Sequence, residues 1–193
     1  MSHDIRPAPV ETTTAVSEDD VRRIVRQELE RAFRRDPSAR TAAIVASKGT
    51  LDWAYPPLIL ANAAAAVGMD VSVFFTFYGL NIIHKDSARK LKIDPVGNPA
   101  MPMPVPIPDI ISSLPGMVPV ASHMMRSRFA KNNVATIGEL LNSAQEADVR
   151  LIACQMTVDV FGYRQDDFID GVEFAGAAAF MARARHAHAT MFI

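Results

Sequence analysis

One side chain in this sequence is suited to act as a strong nucleophile near neutral pH: Cys154, the single cysteine. It follows an apolar run, Val149-Arg150-Leu151-Ile152-Ala153. It opens a second segment, Gln155-Met156-Thr157-Val158-Asp159-Val160-Phe161, which closes at Gly162. That spacing predicts a strand, the cysteine, then a short helix with Gly162 as its stop. In an open α/β sheet, ligands gather beyond the carboxyl ends of the strands. A thiol placed there faces the first amides of the next helix, whose partial positive charge favours thiolate over thiol. The same position also suits a buried, unreactive cysteine packing as a small hydrophobe.

Other reactive groups are sparse. Ser47-Lys48-Gly49-Thr50 follows the first apolar strand but lacks the glycine spacing and residue order of a phosphate-binding loop. Its amides and Lys48 are placed to face the cysteine pocket. Thr157 can supply a hydroxyl there, while Asp159 is expected to face elsewhere. His186 and His188 lie near the C-terminus, and His3, His84 and His123 are scattered. No set of them has metal-ligand spacing, so no metal and no cofactor are expected. A Cys-His hydrolase needs a base beside the thiol. His84, after the second strand, is the candidate for that role. Thioredoxin-type chemistry needs a Cys-x-x-Cys pair, which one cysteine cannot form. What remains is a lone thiol able to carry a group as a persulfide, a mixed disulfide or a thioester.

The bulk properties agree with such a protein. The chain has 193 residues, long enough for one full core. A hydrophobic share of 49% and a charged share of 21% are ordinary for a globular domain. A net charge of -1 gives no electrostatic footprint for nucleic acid. A single cysteine and the absence of a signal-peptide pattern at the N-terminus read as cytoplasmic. The longest apolar stretch, 56–69, contains Asn62 and two prolines and is too short to span a bilayer, so no transmembrane segment is expected.

The elements that position Cys154 follow from periodicity. Residues 1–16 read as a disordered tail. Ser17 caps an amphipathic helix over 17–36, with Val21, Ile24, Val25, Leu29 and Phe33 on one stripe. Thr41 to Ala46 is a strand. Trp53 to Val67 is a helix with Pro56 and Pro57 in its first turn. Asp70 to Thr76 is a second strand. Residues 94–119 hold most of the chain's 13 prolines among Met, Val and Ile, a pattern that predicts an extended insertion. Helices are expected over Ala121–Lys131 and from the capping box Thr136-Ile137-Gly138-Glu139 to about Glu146. Asp167 to Asp170 should form a helical turn, and Gly171 to Phe174 a brief strand. Ala175 to Ala187 should be a helix, and Ala189 to Ile193 the last strand. Five strands alternating with helices predict a doubly wound, mostly parallel α/β sheet flanked by helices.

At this point the sequence resembles the DsrE/DsrF/DsrH-like family of sulfur carriers. The resemblance rests on Phe74-Phe75-Thr76-Phe77-Tyr78-Gly79-Leu80-Asn81, on Leu151 to Gly162 around the cysteine, and on Ile169-Asp170-Gly171-Val172-Glu173-Phe174-Ala175-Gly176. Ser47 to Asp52 also looks like the family's first turn. The likeness covers about residues 40–193, which it implies are a single DsrE-like domain. It further implies a homo-oligomer and a cysteine, here Cys154, that holds sulfane sulfur as a persulfide. Rhodanese-like or TusA-like proteins are the partners it implies. Lys48, Gly49, Thr50, Tyr78, Gly79, Met156 and Thr157 are then the pocket residues expected to support it. Two other readings stay open: a non-catalytic scaffold of the same fold, and a thiol-dependent reductase.

Overall fold

The computed structural model describes residues 40–88, 90–94 and 117–193. The expected tail at 1–16, the helix at 17–36 and the body of the Pro/Met segment lie outside the described residues. Arg40–Ile193 forms a compact unit of its own. Its elements run β1 (Thr41–Ala46), α1 (Leu51–Ala66), β2 (Asp70–Phe75), a 3-10 turn (Phe77–Ile82), α2 (Lys85–Ala88), α3 (Met117–Lys131), α4 (Ile137–Glu146) and β3 (Arg150–Cys154). They continue with α5 (Gln155–Phe161), a second 3-10 turn (Gln165–Asp167), β4 (Glu173–Ala175), α6 (Ala177–Ala184) and β5 (Ala189–Phe192).

The five strands form one sheet in the order β4-β3-β2-β1-β5. Every neighbouring pair is parallel. The chain steps in one direction from β1 to β4, and α6 then returns it to the far edge beside β1. Right-handed crossovers in opposite directions place their helices on opposite faces. The burial pattern agrees. Ile44, Val73, Phe75, Leu151 and Ala153 share one core with Leu58 of α1 and Leu141 of α4. The alternate residues Ala43, Phe74, Ile152 and Cys154 share a second, smaller core with Phe180 of α6. The rings of Phe74 and Phe180 stack there with centroids 4.8 Å apart. The period of two along each strand thus sends Cys154 to the α6 side.

Several local expectations hold. The capping box closes as read: Glu139 N donates to Thr136 Oγ1, and Thr136 N donates to a Glu139 carboxylate oxygen at 2.7 Å. Gly162 ends α5 in the left-handed conformation, with φ of 69°. Asn62 Nδ2 donates to the Leu140 carbonyl at 3.0 Å and ties α1 to α4.

Other boundaries move. α1 begins at Leu51, two residues earlier than expected, so Pro56 and Pro57 lie beyond its first turn. Each proline removes one intrahelical donor, at a cost of up to ~3 kcal/mol. Burial of Leu51, Ala54, Tyr55, Leu58 and Ala61 along one face offsets that loss. α3 starts at Met117, so Met117 to Pro119 are helical rather than part of the extended insertion. Pro119 is tolerated there because it sits in the first turn. β4 falls two residues later than expected because its pairing is set by Ile152–Cys154 of β3. The helical turn expected at Asp167–Asp170 forms instead at Gln165–Asp167, and α6 is confined to Ala177–Ala184.

Candidate functional site

Cys154 is both the last residue of β3 and the N-cap of α5. Only 3% of the residue is exposed. Its surroundings come from two adjacent strand ends. β2 and β3 pair up to Phe75 with Ala153. One step further, Thr76 stands beside Cys154. Thr157, in the first turn of α5, is 1% exposed. The Thr76 and Thr157 hydroxyl oxygens are 3.3 Å apart, and the Phe77 amide donates to Thr157 Oγ1 at 3.3 Å. With that amide on its oxygen, Thr157 is free to donate its own proton towards the sulfur.

Phe77 reaches this position through an unusual backbone. Its φ is +47°, in the left-handed region that a side chain as large as phenylalanine seldom adopts. Strain of this kind persists where the surroundings over-determine it, and it gathers at functional sites. Its neighbours here are two interlocked turns. A Cβ on Gly79 would lie 2.0 Å from the Ala46 carbonyl oxygen, and one on Gly49 would lie 1.9 Å from the Tyr78 carbonyl oxygen. Only glycine permits these approaches. The Gly79 amide donates to Ser47 O, and Thr76 N donates to Ala46 O at 3.0 Å. The turn after β1 therefore braces the turn after β2.

Electrostatics at the sulfur are set by neutral donors. Burial pushes the Cys154 thiol up, but hydrogen bonds outweigh it. These come from the Thr157 hydroxyl, the Thr157 amide, the Thr76 hydroxyl and the Met156 amide, and the net shift is downward. The donors matter to the anion, which attracts them more strongly than the thiol does. The arrangement can hold a thiolate, or another sulfur anion at the same point, without a formal positive charge.

Of the residues singled out from sequence, Met156 and Thr157 stand against the sulfur. Gly49 and Gly79 form the brace between the turns after β1 and β2. Tyr78 is 66% exposed and packs its ring on Phe161 of α5, at 5.9 Å. Lys48 goes elsewhere: its ammonium sits 3.4 Å above the centre of the Trp53 ring. Thr50 is the N-cap residue of α1, and its buried hydroxyl has no hydrogen-bond partner. His84 is occupied as well. Its Nδ1 accepts from the Asp86 amide, and its ring packs on Tyr163 and Phe168. Asp159 accepts from Gln155 Nε2 at 2.7 Å. No group of three or more potential metal ligands occurs among the described residues. Thr76 and Phe77 join the site only through the fold; the run Phe74 to Asn81 marks a strand end, but nothing local in it points to the cysteine.

The fold and site define a parallel α/β domain with one hydrogen-bonded cysteine at the carboxyl end of a central strand. The chain belongs to the DsrE/DsrF/DrsH-like family, whose model matches residues 38–192. It is 50% identical over 155 residues to the sulfur carrier protein DsrE2 of Allochromatium vinosum, covering 78% of this chain and 96% of that protein. It is also 32% identical over 158 residues to the uncharacterized protein YrkE of Bacillus subtilis, covering 80% and 97%. Among the described residues, no helix is long and apolar enough to cross a membrane.

Proposed function

We propose that this protein is a sulfur carrier that holds sulfane sulfur as a persulfide on Cys154 and passes it to a partner thiol. The observation that carries this reading is the place of Cys154 at the end of β3 and the start of α5, beside the paired Thr76 and Thr157 hydroxyls, where donors outweigh burial and lower the thiol pKa. The 50% identity to a protein named as a sulfur carrier supports the same reading. In the loading step the Cys154 thiolate attacks the outer sulfur of a donor persulfide. A new S–S bond forms, the donor's own S–S bond breaks, and the donor thiolate leaves with the electron pair. In the unloading step an acceptor thiolate attacks the outer sulfur of Cys154–S–SH. The sulfur atom moves and Cys154 returns as thiolate, with no net oxidation in either step.

The residues divide the work by position. Thr157, Thr76 and the Met156 and Thr157 amides stabilise the negative charge on Cys154 between transfers. Tyr78, two residues past Thr76, and Met156, two residues past Cys154, are both exposed and offer a partner a contact surface. Transfer between proteins requires a partner that brings its own thiol to this mouth. Rhodanese-like or TusA-like sulfur proteins fit that requirement, and a homo-oligomer in the cytoplasm is the expected setting.

Burial of Cys154 to 3% favours one rival, a partner-binding scaffold with an inert cysteine. The test is intact mass after incubation with polysulfide or glutathione persulfide, beside Cys154→Ser. A gain of whole sulfur masses that reductant reverses and the serine variant lacks supports the carrier. No adduct, together with a folded-state thiol that resists alkylation, supports the scaffold.

A further inference from the structure

Away from the thiol, a cavity of about 660 Å3 opens between α1, α3 and α4. Its volume falls within the range of small-molecule sites, ~300–1,000 Å3. Its apolar floor is Leu51, Tyr55, Phe129 and Leu141, and Lys85 and Arg126 stand among the lining residues. The Tyr55 and Phe129 rings meet edge to face at 4.6 Å, which gives the floor a fixed aromatic wall. Small residues are among those that line it. Gly138 of α4 is one, and a Cβ built there meets nothing closer than Thr136 Oγ1 at 4.0 Å.

Charge gives the cavity a sign. Arg126 donates through Nη2 to the Leu91 carbonyl, the one hydrogen bond from its five donors among the described residues. Lys85 donates to the Asp166 carbonyl at 3.0 Å and lies 3.7 Å from the exposed Asp170 carboxylate. The nearby Glu139 carboxylate is tied into the α4 capping box by Thr136. Burial raises the Tyr55 hydroxyl pKa, against the pull of Arg126, so that group stays a neutral donor at the wall.

We propose that this cavity binds a small amphiphilic anion, an aryl or acyl carboxylate or sulfonate. The apolar body rests on Leu51, Tyr55, Phe129 and Leu141, and the anionic head meets Arg126 with Lys85 beside it. The site is independent of the sulfur chemistry, because Cys154 packs on the opposite face of the sheet.

The test titrates the full-length protein with 8-anilinonaphthalene-1-sulfonate by fluorescence and with laurate by calorimetry. The expected result is saturable one-to-one binding of both probes, unchanged in Cys154→Ser. Arg126→Gln should weaken it roughly tenfold, the size of one charge-assisted contact, and Arg126→Lys should recover most of that loss. Gly138→Leu adds bulk in the cavity and improves helix propensity, so it should stay folded and abolish binding. No saturation by either probe overturns the proposal. Binding at wild-type strength in folded Gly138→Leu or Arg126→Gln overturns it equally.

Discussion

Thr76 and Thr157 bring their hydroxyl oxygens within 3.3 Å of each other from separate elements, one past the end of β2 and the other in the first turn of α5. Both lower the Cys154 thiol pKa. The pair is therefore the connection between sheet register and sulfur chemistry. If β2 and β3 were paired one residue out of step, the Thr76 hydroxyl would point to the opposite face.

Thr157→Val removes the largest of the favourable contacts while keeping the shape. The thiol pKa should rise, and iodoacetamide alkylation near neutral pH should slow severalfold. Thr157→Ser should restore the wild-type profile. A full alkylation-rate curve against pH checks this, since a purely structural effect would change the plateau rate without moving the midpoint.

Stability should carry the same signature. The folded thiol titrates below its ordinary value of 9.0. Its contribution is therefore fully present above that value and lost as pH falls through the folded pKa. Urea unfolding of the wild type and of Cys154→Ala, under reductant, should show a stability gap that widens as pH rises through this window. A gap independent of pH contradicts the shift.

The glycine brace predicts a steep local cost. Gly79→Ala and Gly49→Ala each drive a methyl group to within 2.0 Å or less of a backbone carbonyl oxygen. Each should destabilise the protein by about 1–3 kcal/mol, as overpacking does. Gly138→Ala, inside α4 with nothing closer to its Cβ than Thr136 Oγ1 at 4.0 Å, serves as the comparison and should be neutral or slightly stabilising. Chemical denaturation of the three variants measures the contrast.

Phe180 closes the small core in which Cys154 lies. Phe180→Ala should cost about 3 kcal/mol by opening a cavity beside Phe74. It should also let alkylating reagents reach the sulfur faster at every pH, leaving the titration midpoint in place. Paired unfolding and alkylation measurements separate access from acidity.

Much of this architecture is legible along the chain. Apolar runs bounded by turn residues mark β1, β2 and β3. The Thr136–Glu139 box and Gly162 mark helix ends through backbone chemistry that needs no tertiary context. The sulfur's partners were only half legible. Met156 and Thr157 follow Cys154 directly, so local spacing finds them. Thr76 and Phe77 lie some eighty positions away, and only the pairing of Phe75 with Ala153 brings them in. Lys48 shows the opposite problem. Its backbone follows the first strand as expected, but a long flexible side chain went to the indole of Trp53. The prolines of α1 pointed to a helix start that burial of Leu51 and Ala54 overrode.

The most direct test of the carrier reading is a single-turnover transfer. Cys154 is loaded with isotopically labelled polysulfide, freed of excess donor, and mixed with an acceptor thiol, free cysteine or a TusA-like protein. Intact mass is then followed on both partners. The labelled sulfur should leave Cys154 and appear on the acceptor in equal amount, with Thr157→Val altering the rate and Cys154→Ser carrying nothing. Label that never loads, or that loads equally on Cys154→Ser, contradicts it.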